Sequence, residues 1–418
     1  MQKINSILDF YKMIPDPHQI KLSNEGFSIL KENGLVYFAM EERTRKTLTA
    51  LLLCEKLPKN NILVLTKKKA LDGWQETLEK WAHTKNYVAT NYDQVKKLSG
   101  NYDYVILDES HAFLSGYPKP SAIWKTVKLL TKGKLVMYLS ATPHAQGYQL
   151  LYHQLALSDW SPWKQYKNFY AWHQEYALRD KNGETERKYI PGRYVETYQR
   201  IDENKVLKDI NHLFIRKTRK ELGFEQEPTD ILHYVDLSEP VKKAYNHILK
   251  HKLLTFSNQG KEYELVADSP MKLRCSLHEL EGGTMKIDNK QSVTLGNNEK
   301  IDYIKKTWGD KKSVVIMYNY VQEKIKLEQH FKKAIILQAT SYAEGVDLSC
   351  YTHLVIYSQN FSVAKHTQRR ARQANKNRIE EIKVHFILSK KCISEQVYNT
   401  VSVKKTNFVD SIFNKKEI

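Results

Sequence analysis

The feature that most constrains this chain is a repeated alternation of short apolar runs with amphipathic stretches. Four runs rich in Val, Ile, Leu and Tyr occur in the first part of the chain, and four more follow after residue 299. They are GLVYFAM, NILVLTK, YDYVILDES and KLVMYLSAT in the first part, and KKSVVIMYN, KAIILQATS, THLVIYSQ and KVHFILSK in the second. Between several of them lie helical patterns such as TLTALLLCEKL. This alternation predicts an α/β fold in which helices flank parallel sheets.

The two groups of runs predict two α/β lobes with a different kind of sequence between them. From about residue 145 to 290 the chain is crowded with aromatic side chains and contains turn signals such as KNGE, PGR and EGGT. We therefore expect a first lobe at residues 1–145, a largely helical, aromatic-rich insertion and linker at residues 146–295, and a second lobe at residues 296–418. Ligands of parallel sheets bind at the carboxyl ends of the strands, so the polar residues after each run matter most.

The chain is strongly basic and rich in tyrosine. Its 66 Lys and Arg residues against 47 Asp and Glu residues give a formal net charge of +19, and it has 26 tyrosines. This balance favours a polyanionic partner, bound by phosphate neutralisation and base stacking, while a surface charge that only aids solubility is the alternative. No apolar stretch approaches the roughly 18 residues of a membrane span, no signal peptide is apparent, and the four scattered cysteines suit a cytoplasmic protein.

The first polar segment of interest is the loop after GLVYF, which ends in Lys46-Thr47 at a predicted helix start. Backbone N–H groups and the dipole at a helix N-terminus favour a phosphate there. The lysine would meet the β- and γ-phosphates, and the threonine hydroxyl would hold Mg²⁺. Arg45 stands where such loops have glycine. A basic helix start that only looks like a phosphate loop is therefore the alternative.

Two further polar segments follow later strands of the first lobe. Asp108-Glu109 ends the run YDYVILDES, and Ser140 and Thr142 follow the run LVMYL. Paired carboxylates at a strand end can hold the Mg²⁺ shell and polarise the attacking water, whereas an isolated pair would be a helix N-cap. The order of loop, acidic pair and Ser-Ala-Thr, each at a strand end, is more specific than any one of them and favours a nucleotide hydrolase.

This ordered set resembles the superfamily-two helicases and translocases, and within them the Swi/Snf-like branch. The resemblance runs over nearly the whole chain and includes DPHQIKLSNEG, and FIRKTRKELG followed by VDLSEPVKKAYNHIL. It implies two RecA-like lobes with ATP and Mg²⁺ as cofactors, and it makes Gln19 the adenine-contacting residue. The ATP-binding positions that it implies are Gln19, Thr44, Arg45, Lys46, Thr47 and Gln368. The implied Mg²⁺ ligands are Thr47 and Asp108, and the implied catalytic residues are Glu109, Lys46 and Arg372.

The same resemblance implies a nucleic-acid track and a coupling path to ATP. VLTKKKALDGWQETLEKW and ATNYDQV are similar to motifs that contact a strand of nucleic acid. The nucleic-acid-binding positions are then Thr66, Lys67, Trp74, Asn91 and Tyr92. SYAEGVDLS is similar to the motif that couples strand contact to ATP. The coupling positions are Ser140, Thr142, Gly345 and Asp347.

In the second lobe, HTQRRARQANKNR resembles the arginine-finger motif of the family. That motif has a glutamine, an arginine four residues later and a second arginine three residues after that. Gln368 and Arg372 match the first two positions, and Asn375 occupies the third. An arginine finger stabilises charge on the transferring phosphoryl group. An exposed basic helix that binds nucleic-acid phosphate is the alternative, and the residues left for other partners are Arg369, Arg370, Lys376 and Arg378.

Arg45, Asn375 and a second lobe that looks shortened are departures from the family pattern, and the reduced size of the lobe suggests a compact, phage-like or mobile-element relative. We expect an ATP-dependent translocase or helicase on double-stranded or branched DNA, in the cytoplasm, or in the host cytoplasm for a phage-encoded protein. A catalytically weakened ATPase that serves as a DNA-binding or recruitment module is one alternative, and an RNA-directed helicase is another. Because no accessory domain is recognisable, we also expect a separate nuclease or a replication or recombination protein as a partner.

Overall fold

A computed structural model gives the fold of the protein. It describes residues 14–144, 147–190, 192–288, 291–339, 348–374, 378 and 380–404, without the side chains of Ile190, Ala364 and Gln368. The chain divides into two compact units, the first ending at Gly223 and the second beginning at Phe224.

The first unit is built on a parallel sheet with helices between its strands. Its helices are α1 (Pro17–Asn33), α2 (Lys46–Cys54), α3 (Leu71–Lys80), α4 (His111–Leu114), α5 (Ala122–Thr131), α6 (Leu151–Leu155), α7 (Phe169–Tyr176) and α8 (Glu203–Ile210). Its strands are β1 (Leu35–Met40), β2 (Asn61–Thr66), β3 (Asn86–Asn91), β4 (Tyr104–Asp108), β5 (Leu135–Leu139), β6 (Arg187–Ile190), β7 (Arg193–Glu196) and β8 (Phe214–Lys217). Strands β6 and β7 form an antiparallel hairpin, and the other six form one sheet in the order β3-β2-β4-β5-β1-β8.

This first sheet confirms the predicted α/β lobe. The four early apolar runs are strands β1, β2, β4 and β5, and every neighbouring pair in the sheet is parallel. Because the strands run in one direction, their carboxyl ends lie at one edge of the sheet. The last residues of these four strands are Met40, Thr66, Asp108 and Leu139. The polar segments singled out in the sequence therefore all start from the same edge.

The aromatic-rich sequence after β5 packs onto the core of this unit. Trp163, Phe169 and Trp172 are buried, and the two tryptophan rings lie 5.2 Å apart. Burying a side chain such as Phe169 contributes roughly 1.5–3 kcal/mol. Inside the sheet, Tyr37 stacks on Phe214 with their ring centroids 4.5 Å apart. The stretch that looks like an insertion in the sequence is thus part of the hydrophobic core of the first unit.

The second unit is also a parallel sheet with helices, and it carries two small antiparallel ribbons. Its helices are α9 (Glu239–His251), α10 (Pro270–Glu281), α11 (Glu299–Trp308), α12 (Val321–His330), α13 (Val363–Arg370) and α14 (Ile393–Tyr398). Its strands are β9 (Thr229–Val235), β10 (Leu253–Asn258), β11 (Lys261–Val266), β12 (Thr284–Lys286), β13 (Ser292–Thr294), β14 (Val314–Tyr318), β15 (Ile335–Gln338), β16 (His353–Ile356) and β17 (Lys383–Ser389). The parallel sheet has the order β15-β14-β16-β17-β9. Among the described helices of both units, none is long and apolar enough to cross a membrane.

The second sheet confirms the second predicted lobe and adds one strand to it. The four late apolar runs are β14 to β17, whereas β9 lies in the segment expected to be insertion and linker. β9 pairs in parallel with β17 along its whole length, and β8 extends the first sheet in the same way beside β1. Residues 146–295 therefore contribute a strand to each sheet as well as helices, and the boundary between the two units falls inside this segment.

A pair of histidines connects β9 to β17 in the second sheet. His233 Nε2 and His385 Nδ1 are hydrogen bonded at 2.9 Å, and His233 Nδ1 is bonded to the Tyr303 hydroxyl at 2.9 Å. The pKa of His385 is lowered from 6.5 to about 4, chiefly by burial and further by the charges of His233, His353 and Lys383. The folded chain therefore holds this imidazole in its neutral form at neutral pH.

We expect the second unit to lose stability as the pH falls from about 6.5 towards 4. The unfolded chain protonates His385 near pH 6.5, whereas the folded chain keeps it neutral down to about pH 4. In this window the unfolded state binds the additional proton, which lowers the free energy of unfolding by up to about 1.4 kcal/mol per pH unit. Urea unfolding at about pH 7 and about pH 5 measures the effect, and His385→Gln should reduce the slope. An identical slope in both proteins would contradict this role of His385.

Candidate active site

The loop after β1 curls around the side chain of Lys46. Lys46 is the first residue of α2, and its Nζ donates to the carbonyls of Met40 and Glu41 at 2.8 and 2.9 Å. Thr44 is buried in the loop and donates its hydroxyl to the same Glu41 carbonyl at 2.7 Å. Thr47 follows Lys46 in the first turn of the helix and is partly exposed. The predicted order of loop, lysine and helix start is therefore present.

The charges of three carboxylates act on the Lys46 ammonium. Burial lowers the pKa of Lys46 from its usual 10.5, and the charges of Glu42, Glu109 and Asp108 oppose this by raising it. Glu42 was not singled out in the sequence, and burial raises its pKa while Lys46 lowers it. The lysine is thus the cation that joins the loop electrostatically to the acidic pair at the end of β4.

Arg45 has the backbone conformation that explains why relatives have glycine at this position. Its φ of 59° and ψ of 42° lie in the left-handed region, which costs a non-glycine residue roughly 1–2 kcal/mol. Its guanidinium lies 3.6 Å from the Asp16 carboxylate and is about half exposed. Gln19, the predicted adenine-contacting residue, donates from Nε2 to the Arg45 carbonyl at 3.3 Å. The arginine side chain is therefore held by α1 and does not fill the loop.

A buried arginine from beyond β8 braces the acidic half of the loop. Arg219 lies in the run FIRKTRKELG, and one terminal nitrogen, Nη1, is 3.8 Å from the carboxylates of both Glu41 and Glu42. Its backbone N–H donates to Glu41 at 2.7 Å. Basic residues in such a run are commonly solvent-exposed, and the sequence offered no signal that this one is buried. Its position ties the end of the first unit to the loop.

Asp108 is held by side chains that the sequence placed on a nucleic-acid track. Its Oδ2 accepts hydrogen bonds from Thr66 Oγ1 at 2.7 Å and from Trp74 Nε1 at 2.8 Å. Its pKa is raised from 3.8 to about 6 by burial and by the charge of Glu109, while the two hydrogen bonds and Lys46 lower it. The hydroxyl of Tyr92 donates to the Asp108 carbonyl at 2.9 Å. Two hydrogen bonds to the carboxylate and one to the backbone carbonyl therefore fix Asp108 at the strand end.

In this structure, most of the side chains predicted to contact nucleic acid on the first lobe are buried and paired within the fold. Thr66, Trp74 and Tyr92 are at most 2% exposed, so their side chains offer no surface to a nucleic acid in this structure. Asn91 is also buried, and its side chain accepts from the N–H groups of Asp93 and Gln94 to cap a short 3₁₀ turn. Each of these polar groups has a hydrogen-bond partner inside the fold, as buried polar groups require.

Glu109 is oriented by two basic side chains and by an unusual backbone conformation. Its carboxylate lies 3.6 Å from Lys67 Nζ and 3.5 Å from His111 Nδ1. Its φ is 50°, and its N–H donates to the Leu139 carbonyl of the neighbouring strand at 2.8 Å. Non-glycine residues in this region are strained and cluster at functional sites. Lys67, predicted to contact nucleic acid, is thus an ion-pair partner of the predicted catalytic base.

The Ser-Ala-Thr segment contacts the acidic segment through a histidine. The Ser140 hydroxyl bonds His111 Nδ1 at 2.8 Å and accepts from the Thr142 N–H at 3.1 Å. Because His111 also lies beside Glu109, the three groups form a continuous polar path. Of the predicted coupling residues, Ser140 and Thr142 lie together in this structure. Gly345 and Asp347 lie outside the described residues.

Gln154 is a positioning residue that the sequence did not indicate. Its buried Oε1 accepts from the Tyr37 hydroxyl at 2.7 Å and from the Ser110 hydroxyl at 2.9 Å. Its Nε2 donates to the carbonyls of Pro143 and Leu150 at 2.8 and 3.0 Å. One amide therefore joins the residue after Glu109 to the residue after Thr142. A lone glutamine in a short helix gives no signal of this role.

The second unit places the arginine-rich helix against its own sheet. Arg372 is 7% exposed, and its carbonyl accepts from the Leu348 N–H at 3.1 Å. Arg370 donates from Nε to Asp230 at 2.5 Å, and Arg369 is buried. Arg378 donates to the Ser349 carbonyl at 3.0 Å. Arg370 and Arg378 therefore make contacts within the fold, and Arg369 is removed from the surface by burial. Asn375, Lys376 and the Gln368 side chain lie outside what the structure describes.

The chain has two α/β units built on parallel sheets. In the first, a lysine-ended loop, an Asp-Glu pair and a Ser-Ala-Thr segment lie at one sheet edge. This is the architecture of the RecA-like two-lobe ATPases. Residues 83–281 match the family model of the SNF2-related domain. This part of the chain is therefore similar to the Swi/Snf-like proteins of superfamily two, a family of ATP-dependent translocases. The match begins after Lys46 and includes the acidic pair, so the assignment of the loop rests on its geometry. No curated protein matches the chain significantly.

Proposed function

We propose that this protein is an ATP-dependent DNA translocase or helicase with its hydrolytic site at the carboxyl edge of the first sheet. The observation that carries the proposal is the electrostatic grouping of Lys46 with Asp108 and Glu109, whose charges act on one another. The similarity of residues 83–281 to the SNF2-related domain, which is typical of ATP-dependent translocases, supports the same reaction. Gln19 is proposed to contact adenine from its place beside the loop.

Lys46 is the proposed ligand of the β- and γ-phosphates. Its ammonium donates to two neutral carbonyls, and bonds to charged acceptors are roughly twice as strong. A phosphate entering the loop would therefore displace the carbonyls of Met40 and Glu41. Arg43 and Arg45, with φ of 68° and 59°, turn the backbone in the way that forms an anion-binding nest.

Thr47 and Asp108 are the residues that would hold Mg²⁺. A carboxylate and a hydroxyl are the hard oxygen ligands that this cation prefers. Burial makes the charge on Asp108 costly, as its raised pKa shows, and a cation beside it would offset that cost. When bound, the metal neutralises charge that develops on the phosphates. The chemistry of these two side chains therefore fits the metal.

Glu109 is the proposed general base that takes the proton from the attacking water. Its two basic neighbours, Lys67 and His111, fix the direction of the carboxylate. Ser140 bonds His111, and Gln154 donates to the Pro143 carbonyl after the Ser-Ala-Thr segment. A movement of that segment would therefore change the position of the Glu109 carboxylate. Arg372 is proposed as the arginine finger, and Gly345, Asp347 and Gln368 keep their proposed roles from the family pattern.

DNA is the proposed track, in double-stranded or branched form. The net charge of +19 supports a polyanion. With Thr66 and Trp74 buried, the exposed Lys68 and Lys69 just beyond β2 are the better candidates for phosphate contacts. ATP turnover measured with duplex DNA and with duplex RNA tests the choice. Stimulation by DNA supports it, and stimulation by RNA alone would establish the RNA-directed alternative. The cytoplasmic location and a separate nuclease, replication or recombination partner stay predictions.

The weakened-ATPase alternative depends on Arg45, and a single substitution tests it. We expect Arg45→Gly to change ATP turnover by less than about tenfold, equivalent to about 1.4 kcal/mol. The reason is that the guanidinium pairs with Asp16 outside the loop, so the glycine removes backbone strain and an exposed ion pair without opening a blocked site. Steady-state turnover measures the change. A larger rise would show that Arg45 obstructs the phosphates, and a larger fall would show that it binds them.

A further inference from the structure

The antiparallel hairpin β6–β7 carries an exposed pair of tyrosines outside the nucleotide site. Tyr189 and Tyr194 are directly opposite each other in the hairpin, and their ring centroids lie 5.2 Å apart at 63°. The two residues are 61% and 70% exposed. Large aromatic rings grouped on a surface commonly mark a binding site. The pair stands out because Trp160 and Tyr170, two other exposed aromatic residues of the first unit, are only 39% and 40% exposed.

The hairpin is a defined arm rather than a loose loop. Beyond the two strands, the Thr197 N–H donates to the Glu186 carbonyl at 3.0 Å, and the Leu178 N–H donates to the Arg200 carbonyl at 3.0 Å. At the base of the arm, Tyr198 packs edge-on against the buried Phe169 with centroids 5.5 Å apart. The tyrosine pair is therefore held at a fixed place at the outer part of an arm anchored in the core.

The charges of this arm favour an anionic partner. Residues 179–200 contain six basic and four acidic residues. Each carboxylate already has a local partner: Asp180 accepts from the Glu184 N–H, Glu184 pairs with Arg187, Glu186 accepts from Thr197 and Glu196 lies near His173. By contrast, Lys181, Arg193 and Arg200 make no ion pair within the described part of the chain. The same arm therefore carries three cations that are not neutralised by these carboxylates.

We propose that this arm binds unpaired DNA, with a nucleobase stacked on Tyr189 or Tyr194 and the strand phosphates near Arg193 and Arg200. Aromatic faces beside positive charge are the chemistry that holds single-stranded nucleic acid without sequence preference. The proposal rests on DNA being the track. It adds to that function a site that holds a strand after it has left the duplex. Strand separation requires such a site, whereas movement along an intact duplex does not.

Binding of forked and fully duplex DNA by the Tyr189→Ala/Tyr194→Ala variant tests this proposal. The forked probe carries a fluorescent 2-aminopurine in its unpaired tail. We expect the preference for fork over duplex to fall by about tenfold or more, the effect of removing a stacked base. The Tyr189→Phe/Tyr194→Phe variant keeps the rings and should keep the preference. Leu129→Ala removes another exposed apolar side chain of the same unit and should also keep it.

An unchanged preference in a double-alanine variant that unfolds at the wild-type temperature would overturn the proposal, as would preferential binding of an RNA tail. If the double-alanine variant is unfolded, the single variants Tyr189→Ala and Tyr194→Ala take its place. Performing the measurements in the Lys46→Ala background removes ATP turnover from the readout. The two proposals can fail separately. If the protein shows no ATPase activity but its preference for forked DNA depends on the tyrosines, only the proposed enzyme is contradicted. If DNA stimulates ATP turnover but the tyrosines do not affect the fork preference, only the role of the arm is contradicted.

Discussion

Glu109→Gln is expected to lower kcat for ATP hydrolysis by about 10²–10⁴-fold, the usual contribution of a general base, while Mg²⁺-ATP still binds. The amide has nearly the same size and keeps a partner for Lys67 and His111, which contact the carboxylate at 3.6 and 3.5 Å, but it cannot accept the proton of the attacking water. Steady-state turnover gives kcat, and equilibrium binding of a fluorescent ATP analogue gives the affinity.

Glu76→Gln is the matched control for this substitution, because Glu76 is 61% exposed on α3 and its ion-pair partner is Lys80. Its turnover should equal that of the wild type. Wild-type turnover in Glu109→Gln would remove Glu109 from the role of base. A parallel loss of nucleotide binding and of thermal stability would show instead that the carboxylate mainly supports the strained turn after β4, where its φ is 50°.

Lys46→Ala is expected to reduce ATP turnover by about 10²–10³-fold, the effect of removing one preorganised group that stabilises developing phosphate charge. Unlike Glu109→Gln, it should also weaken nucleotide binding, because the ammonium would contact the phosphates in the ground state. The carbonyls of Met40 and Glu41 lose a donor at 2.8 and 2.9 Å, so some loss of stability accompanies the change.

Lys59→Ala separates a specific effect from a general loss of charge. Lys59 is 69% exposed and lies 3.6 Å from Asp103, on the side of the sheet where β2 begins. Surface ion pairs of this kind contribute roughly 0–1 kcal/mol, so its turnover and nucleotide affinity should match the wild type. Equal losses in the two lysine variants would point to electrostatics of the whole protein rather than to a phosphate ligand.

The parallel sheets and the order of the polar segments could be predicted because each depends on residues that are neighbours in the sequence. Buried strands give continuous apolar runs, and the residues that end them must lie at one sheet edge. Strands β8 and β9 were not predicted from the sequence because both lie at the edges of their sheets. Their burial is incomplete, so FIRK and TDILHYV lack the continuous apolar pattern of a central strand.

The residue-level roles around Asp108 could not be predicted in the same way. Thr66 and Trp74 lie at places where the family pattern puts contacts to nucleic acid, yet both donate to the Asp108 carboxylate from 42 and 34 residues away in sequence. Gln154 likewise acts only through contacts distant along the chain, with Tyr37 and Ser110. Such pairings depend on how strands and helices pack against one another. A sequence motif specifies the type of residue at a position but does not show which distant residue it will contact.

We expect the site that contains Arg45 and Lys46 to hydrolyse ATP although its loop lacks the usual glycine. The most direct test is the steady-state rate of phosphate release with Mg²⁺-ATP and duplex DNA, measured for the wild type beside Lys46→Ala. We predict turnover in the wild type that rises when DNA is added, and a rate near background in the variant. No turnover in a folded wild-type protein, or equal rates in the two proteins, would contradict the claim.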